Sequence, residues 1–260
     1  MFNYILDKID EAKILNYPFP HLDIENFLSD EHLNLIINNK QIHFDKMDTD
    51  DELRDKLIDN DWKIQGFPGC VGNWKKYQNY LKNKNYKSSQ PVESVGITFR
   101  LCKYTDKVIE ELVLFMNGDE FHDALRKKFN ITRDTTIISA IQKNLTGYEI
   151  SPHPDIIRKS LTYLLNINNN TDIEKEDCNT HLLEFKDEYK HVQYDWEKTK
   201  TRCWVPWDWC NTVKTMNRNN SMVIFKPDYN PPTLHAIRLN YDHLKYQRTQ
   251  IYGNLMYKRV

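Results

Sequence analysis

Two histidines and an aspartate in the second half of the chain have the types and spacing that could bind a metal ion. His153 and Asp155 form a His-X-Asp triplet just before the apolar segment KSLTYLLNI. Residues i and i+2 of a strand lie on one face, so the imidazole and the carboxylate can reach one cation. His235, at the start of a later apolar segment, is the candidate third ligand. Two imidazoles and one carboxylate on one face of an octahedron suit Fe(II) and leave three positions open.

A second His-X-Asp triplet, at His21 and Asp23, competes for this role. It precedes a helical pattern near the N-terminus and lacks partners in the expected order. His153 and Asp155 lie in the β-rich half of the chain, and a distant histidine and then an arginine follow them. The position of the later triplet in the chain therefore favours it as the metal site.

An arginine near the C-terminus is the candidate anchor for an anionic ligand. In RTQIYGNLMY, alternation puts Arg248, Gln250, Tyr252 and Asn254 on one strand face. A guanidinium binds a carboxylate through two hydrogen bonds and stays charged when buried, so this face predicts a pocket for a dicarboxylate. The alternative is Arg238, three residues after His235, which would point to the opposite face of a regular strand. We prefer Arg248.

The elements that must position these residues change character near residue 134. Before it, Ser29 is a good N-cap for a first helix, and apolar spacing predicts helices at about 106–117 and 119–128. After it come short β-rich runs separated by turn signals: TTIISAIQ, KSLTYLLNI, HLLEF, SMVIF, HAIRL and RTQIYGNLMY. Such runs are typical of an antiparallel sandwich or barrel, so the fold class is α+β.

Composition narrows the classes of protein to consider. The 260 residues carry 36 Lys plus Arg against 37 Asp plus Glu, and this balance disfavours a dedicated nucleic-acid binder. No apolar run approaches the ~18–20 residues of a membrane span, and acidic residues stand where a signal peptide would be basic. Five cysteines without a C-x-x-C pair suit a reducing compartment. We expect a soluble cytoplasmic protein with no membrane partner.

Four segments, in their order and spacing, carry a family resemblance: PFPHLDIENFLSDEHLNLII, FMNGDEFHDALRKKFNIT, GYEISPHPDIIRKSLTYLLNI and NSMVIFKPDYNPPTLHAIRLN. Together they resemble the prolyl-4-hydroxylase-like branch of the 2-oxoglutarate and Fe(II)-dependent oxygenase superfamily, of the phage and bacterial type. The resemblance covers most of the chain. It implies one domain over 1–260, with a mainly helical support at 1–133 packed against a double-stranded β-helix (jelly-roll) catalytic core at 134–260.

The resemblance also implies roles for particular residues. The three metal candidates would bind Fe(II), and Arg248 would bind the far carboxylate of 2-oxoglutarate. Lys245, ten residues after His235, is the alternative anchor. Flanking strands offer three further residues for the co-substrate pocket: Tyr148, Thr162 and Tyr252. The usual Gly-Gly pair before the strand HLLEF is replaced here by Asn179 and Thr180.

The activity implied is a dioxygenase that uses Fe(II), 2-oxoglutarate and O₂, with ascorbate as a stimulant and succinate and CO₂ as co-products. The substrate would be a peptidyl side chain, as for a prolyl hydroxylase, or a small metabolite. Two other readings stay open. One is a cupin-like jelly-roll protein that binds a metal without oxygenase activity, and the other is a binding module in which the triad is coincidental.

An aromatic and charged insert at 186–220 contains four of the six tryptophans. An insertion at this point of the fold could form a lid over the substrate or a hairpin that touches it. Alternatively, its tryptophans could simply cover the barrel. The sequence leaves these two interpretations open.

Overall fold

The computed structural model describes residues 1–83, 90–199 and 203–259, and it consists of helices packed on two antiparallel sheets. The helices are α1 (Tyr4–Glu11), α2 (Asp30–Ile37), α3 (Asp50–Asp59), α4 (Trp74–Asn83), α5 (Lys107–Met116), α6 (Asp119–Lys128) and α7 (His191–Thr199). The strands are β1 (His21–Glu25), β2 (Trp62–Ile64), β3 (Thr98–Leu101), β4 (Thr135–Asn144), β5 (Glu149–His153), β6 (Lys159–Asn166), β7 (Thr180–Phe185), β8 (Cys210–Met216), β9 (Ser221–Phe225), β10 (His235–Arg238) and β11 (Thr249–Tyr257). The predicted mixture of helix and antiparallel sheet is confirmed.

The larger sheet has seven strands in the order β1-β9-β6-β11-β4-β3-β2, and the smaller has four in the order β5-β10-β7-β8. All six predicted β-rich runs form strands. Two short strands in the first half of the chain, β2 and β3, were not predicted. β1 extends one edge of the larger sheet, and β3 and β2 extend the other, so the first half supplies sheet edges as well as helices.

The predicted helices form where local signals favour them. The Ser29 hydroxyl accepts a hydrogen bond from the His32 amide at the start of α2, as expected of an N-cap. Asp106 caps α5 by accepting from the amides of Val108 and Ile109. α6 ends in three basic residues, which the negative end of the helix dipole stabilises.

The main apolar core lies between the helices and the outer face of the larger sheet. There the ring of Phe121 in α6 packs edge-on against Tyr163 in β6, with centroids 5.7 Å apart. Leu112 and Leu255 are fully buried in the same core. A second cluster joins the two sheets and includes Leu182 of β7 with Phe225 of β9. The opposite faces of β6 and β11 are therefore directed at the smaller sheet.

Residues 92–95 run beside the outer edge of β5. Val95 exchanges two backbone hydrogen bonds with Glu149, of 2.9 and 3.1 Å. Farther along, the Ser151 amide donates to the Val92 carbonyl, and the Val92 amide donates to the Ser151 hydroxyl. This segment, called the edge segment below, occupies the pairing groups of the strand that ends in His153.

No helix among the described residues combines the length and the apolar character that a membrane span requires.

Candidate metal centre

Two paired strands of the smaller sheet bring the three metal candidates together. His153 is the last residue of β5, His235 is the first of β10, and the two are direct partners in the antiparallel pairing. Asp155 follows two residues after β5. One ligand atom from each of these three side chains lies within 4.8 Å of those of the other two. Residues that are 82 positions apart in sequence thus meet because one strand ends where its partner begins.

Backbone carbonyls fix the orientation of both imidazoles. The Nδ1 atom of His153 lies 2.8 Å from the Ser151 carbonyl oxygen, and that of His235 lies 3.0 Å from the Thr233 carbonyl oxygen. A carbonyl only accepts, so each Nδ1 carries the proton and each neutral ring keeps its lone pair on Nε2. This is the usual arrangement of a metal-binding histidine, in which the second nitrogen is held by a neighbour.

The Asp155 carboxylate is buried and held at both oxygens. Oδ1 accepts from Nζ of Lys159 at 2.6 Å, and Oδ2 accepts from the Thr162 hydroxyl at 2.6 Å. Oδ2 also lies 3.8 Å from Nε2 of His235. The Tyr229 hydroxyl donates to the Asp155 backbone carbonyl. These contacts orient the carboxylate toward the histidines.

The electrostatics keep these side chains in metal-binding forms. Burial, with the neighbouring His235, lowers the pKa of His153 well below its ordinary value. Burial alone would raise the pKa of Asp155, but Lys159 and the two imidazoles lower it overall. At neutral pH His153 is therefore neutral and Asp155 is ionised, as metal ligation requires.

A cavity of about 280 Å³ lies between the two sheets with the triad in its wall. All three pocket residues predicted from the flanking strands line it: Tyr148, Thr162 and Tyr252. The Thr162 hydroxyl donates its hydrogen bond to Asp155. Burial raises the pKa of Tyr148, so it remains a neutral phenol. Tyr252 packs beside the Lys159 ammonium, 5.6 Å from the centre of its ring.

Arg248 is buried one layer behind the cavity wall, with 2% of its surface exposed. Its guanidinium donates to three polar side chains that line the cavity: Asn144, Gln250 and Thr180, at 3.2, 3.0 and 3.4 Å. Among the described residues, no carboxylate lies within 4.0 Å of it. Burial accordingly lowers the pKa of Arg248. A buried guanidinium without an acid is electrostatically unsatisfied and suits an anionic ligand.

A second unsatisfied donor lies beside Arg248. The Nε2 atom of Gln250 is buried and has no hydrogen-bond partner in the described part of the chain. Its Oε1 atom accepts from Arg248, which leaves the amide nitrogen available to a ligand in the cavity. The inner wall therefore offers one unused hydrogen-bond donor, and one uncompensated cation lies directly behind it.

The competing anchors lie elsewhere. Lys245 is exposed, with its ammonium 4.4 Å from the centre of the Tyr246 ring. Arg238 faces away from the cavity, as alternation predicts, and its guanidinium pairs with Glu149 at 2.7 Å while stacking on Trp207.

The early triplet is not arranged as a metal site. Asp23 is bound to Lys214 and to the Ser221 hydroxyl. His21 is buried in β1, with Nδ1 2.8 Å from the Phe19 carbonyl oxygen. Among the described residues, only the later triplet meets the distance requirement for three metal ligands.

Three residues of the site were not predicted from sequence. Lys159 binds the metal-facing carboxylate, and Asn144 and Thr180 bind Arg248. Alternation along β4 could have placed Asn144 on the inner face together with Gln142. The sequence alone contains no signal that Lys159 turns back toward Asp155, four residues earlier.

The aromatic insert divides between packing and the site, and residues 200–202 of it lie outside the described residues. Trp196 packs on Phe185 with ring centroids 5.3 Å apart, and Trp209 stacks on Tyr189. Together with Trp207 they cover the outer face of the smaller sheet. Trp204 is different, because its ring lies 6.3 Å from that of His153.

Comparison with known proteins finds similar structures but no match by sequence. No protein-family model and no curated protein matches the sequence. A Pseudomonas putida prolyl-4-hydroxylase is similar at TM-score 0.48 and 9% identity, over 99% of this chain and 100% of that one. A Trichoplax adhaerens prolyl hydroxylase, solved with a hypoxia inducible factor peptide fragment, is similar at TM-score 0.44 and 9% identity, over 98% and 88%.

A Burkholderia pseudomallei oxidoreductase of the 2OG-Fe(II) oxygenase family is similar at TM-score 0.36 and 9% identity, over 83% of this chain and 94% of that one. Because each of these TM-scores lies below 0.5, the chemistry of the site rests on its own contacts and distances.

Proposed function

We propose that this protein is an Fe(II)- and 2-oxoglutarate-dependent dioxygenase that hydroxylates an unactivated C–H bond. The observation that carries the proposal is the pairing of two features in one cavity. One wall presents two neutral imidazoles and a carboxylate, and directly behind the inner wall lies a buried arginine without a neighbouring carboxylate. A divalent metal satisfies the first group and a dicarboxylate satisfies the second.

The residues present fit the metal. Two imidazole Nε2 lone pairs and one carboxylate form the donor set that Fe(II) takes in oxygenases with open coordination positions. His153, Asp155 and His235 would hold the ion, and the carbonyls of Ser151 and Thr233 keep both rings in the binding tautomer. When bound, Fe(II) supplies the activation of O₂ that is coupled to decarboxylation of 2-oxoglutarate to succinate and CO₂.

The residues also fit the co-substrate. Arg248 would hold the far carboxylate of 2-oxoglutarate, and Gln250 and Thr180 would contribute hydrogen bonds. Tyr148 and Tyr252 would form the side walls. The cavity of about 280 Å³ is near the lower end of ligand pockets, ~300–1,000 Å³, which suits a five-carbon diacid.

The substrate would be a peptidyl side chain or a small metabolite, as the motif resemblance implies. We further propose that the two facing sheets form a double-stranded β-helix and that residues 1–260 act as one catalytic domain. The antiparallel order of both sheets and the core that joins them support this architecture.

Succinate production tests the function directly. Purified protein with Fe(II), ascorbate and 2-oxoglutarate should form succinate slowly even without a substrate. His153→Ala and Asp155→Ala should abolish this turnover, whereas His122→Ala, on the helical side of the molecule, should retain it. Turnover that persists in both ligand variants would contradict the proposal. Metal binding without any turnover of 2-oxoglutarate would instead favour the cupin-like reading.

A further inference from the structure

Lys159, the first residue of β6, binds the metal-facing carboxylate directly. Its Nζ lies 2.6 Å from Oδ1 of Asp155, and only 16% of its side chain is exposed. The ring of Tyr252 bounds the ammonium on another side, with its centre 5.6 Å away. The ammonium is therefore held in a confined position within the cavity wall rather than on a solvated surface.

The two carboxylate oxygens of Asp155 therefore have different electrostatic surroundings. Oδ1 faces a full positive charge at hydrogen-bonding distance, whereas Oδ2 faces the neutral Thr162 hydroxyl and lies 3.8 Å from Nε2 of His235. An oxygen accepts through two lone pairs, so Oδ2 can keep its bond to Thr162 and still bind a cation. Oδ1 also has a second lone pair, but a cation bound there would lie beside the Lys159 ammonium, which would repel it.

We infer that Lys159 is a positioning residue that restricts Asp155 to metal binding through Oδ2 alone. This inference rests on the proposed metal site. A carboxylate can bind a metal through one oxygen or through both. Binding through both would fill one of the three positions that two imidazoles and a single carboxylate oxygen leave open. Lys159 thus preserves an open position that the co-substrate and O₂ need.

The positive charge of the residue at this place supports the inference. A cation so close to a metal site repels the incoming divalent ion, which lowers metal affinity. A residue whose only role was to orient the ligand could be a neutral donor without this cost, as Thr162 is for the other oxygen. The charge itself is what prevents the second oxygen from binding.

The test uses the full-length protein and Mn²⁺ as the probe. In Lys159→Met, both Asp155 oxygens become available and the repulsion is removed. We expect Mn²⁺ to bind about tenfold more tightly. We also expect the bound Mn²⁺ to hold about one water fewer, measured by water-proton relaxation. Lys159→Arg should keep the wild-type hydration. Lys107→Met, at an exposed lysine on α5, should change neither quantity.

A merely orienting role predicts the opposite result, because removal of a ligand's hydrogen-bond partner usually weakens metal binding by ~10–100-fold. Weaker binding with unchanged hydration in Lys159→Met would therefore overturn the inference. Failure of the wild-type protein to bind Mn²⁺, or equal binding by His153→Ala, would instead overturn the metal site itself.

Circular dichroism establishes whether Lys159→Met is folded. If it is not, infrared difference spectra of the wild-type protein on addition of Mn²⁺ decide the question. The separation of the two carboxylate stretching bands is wide for binding through one oxygen and narrow for binding through both. The bands of Asp155 are those that disappear from the difference spectrum of Asp155→Asn. A narrow separation of these bands would contradict the inference.

Discussion

His153 and His235 face each other across two paired strands, with ring centroids 4.5 Å apart and Nδ1 atoms held by carbonyls two residues before each ring. Two rings held in this way present their remaining nitrogens to one point. Replacement of either by glutamine should weaken Co²⁺ or Mn²⁺ binding by at least about 100-fold, because a strong ligand is lost. Isothermal titration measures this affinity. His122→Gln is the matched control, and equal losses in all three variants would contradict the assignment.

Replacement of Arg248 should weaken the binding of 2-oxoglutarate without lowering the stability of the ligand-free protein. Arg248→Met should weaken 2-oxoglutarate binding by about 100-fold, because the buried carboxylate would lose its cation. The ligand-free protein should be no less stable, since a buried cation without an acid is removed. Gln142 remains as a donor to Asn144 and Gln250.

Thermal unfolding without 2-oxoglutarate and equilibrium binding with it give the two quantities. Lys245→Met, at an exposed lysine, should leave both unchanged. A destabilised Arg248→Met variant that binds 2-oxoglutarate normally would show that Arg248 serves the fold instead.

His43 should make the protein sensitive to acid. It is 4% exposed, and burial together with the nearby Lys143 lowers its pKa well below the ordinary value. Below about pH 6.5 the unfolded chain therefore binds a proton that the folded chain does not, so stability falls as the pH falls. The contribution of one such histidine is up to about 1.4 kcal/mol per pH unit.

Urea unfolding at pH 7 and at pH 5.5 measures the effect. His43→Gln should reduce the loss of stability between these pH values, and His191→Gln, at an exposed site, should not. An unchanged loss in His43→Gln would rule out His43 as its source.

Gly253 should tolerate no side chain. A Cβ at this position in β11 would overlap the buried ring of Tyr163 on the neighbouring strand. Gly253→Ala should destabilise the protein by about 1–3 kcal/mol, as overpacking does. In Gly66→Ala the new Cβ meets no atom within 4 Å, and stability should be nearly unchanged. Denaturant unfolding compares the two, and a smaller penalty for Gly253→Ala in a Tyr163→Leu background would confirm the cause.

The sequence predicted those parts of the fold and site that local patterns determine. Alternation in β11 placed Gln250 and Tyr252 on the cavity face, and the triplet before β6 supplied His153 and Asp155. Strand periodicity is a local property, so one sequence suffices to detect it.

Features that depend on pairing between distant segments could not be predicted. β2 has three residues and exists because it pairs with β3. Asn144 and Thr180 reach Arg248 only because β4, β7 and β11 converge, and no spacing along the chain encodes that meeting. Lys159 bonds to Asp155 because the chain turns sharply between β5 and β6.

The edge segment has a consequence for how other molecules can approach the site. An exposed strand edge is a template on which a peptide or a second protein can add a strand. Val92 and Val95 already occupy these pairing groups beside β5. A polypeptide that reaches His153 therefore cannot dock by prolonging the smaller sheet on this side, and its recognition falls to side chains around the cavity opening. The same intramolecular pairing protects this edge from aggregation between copies of the chain.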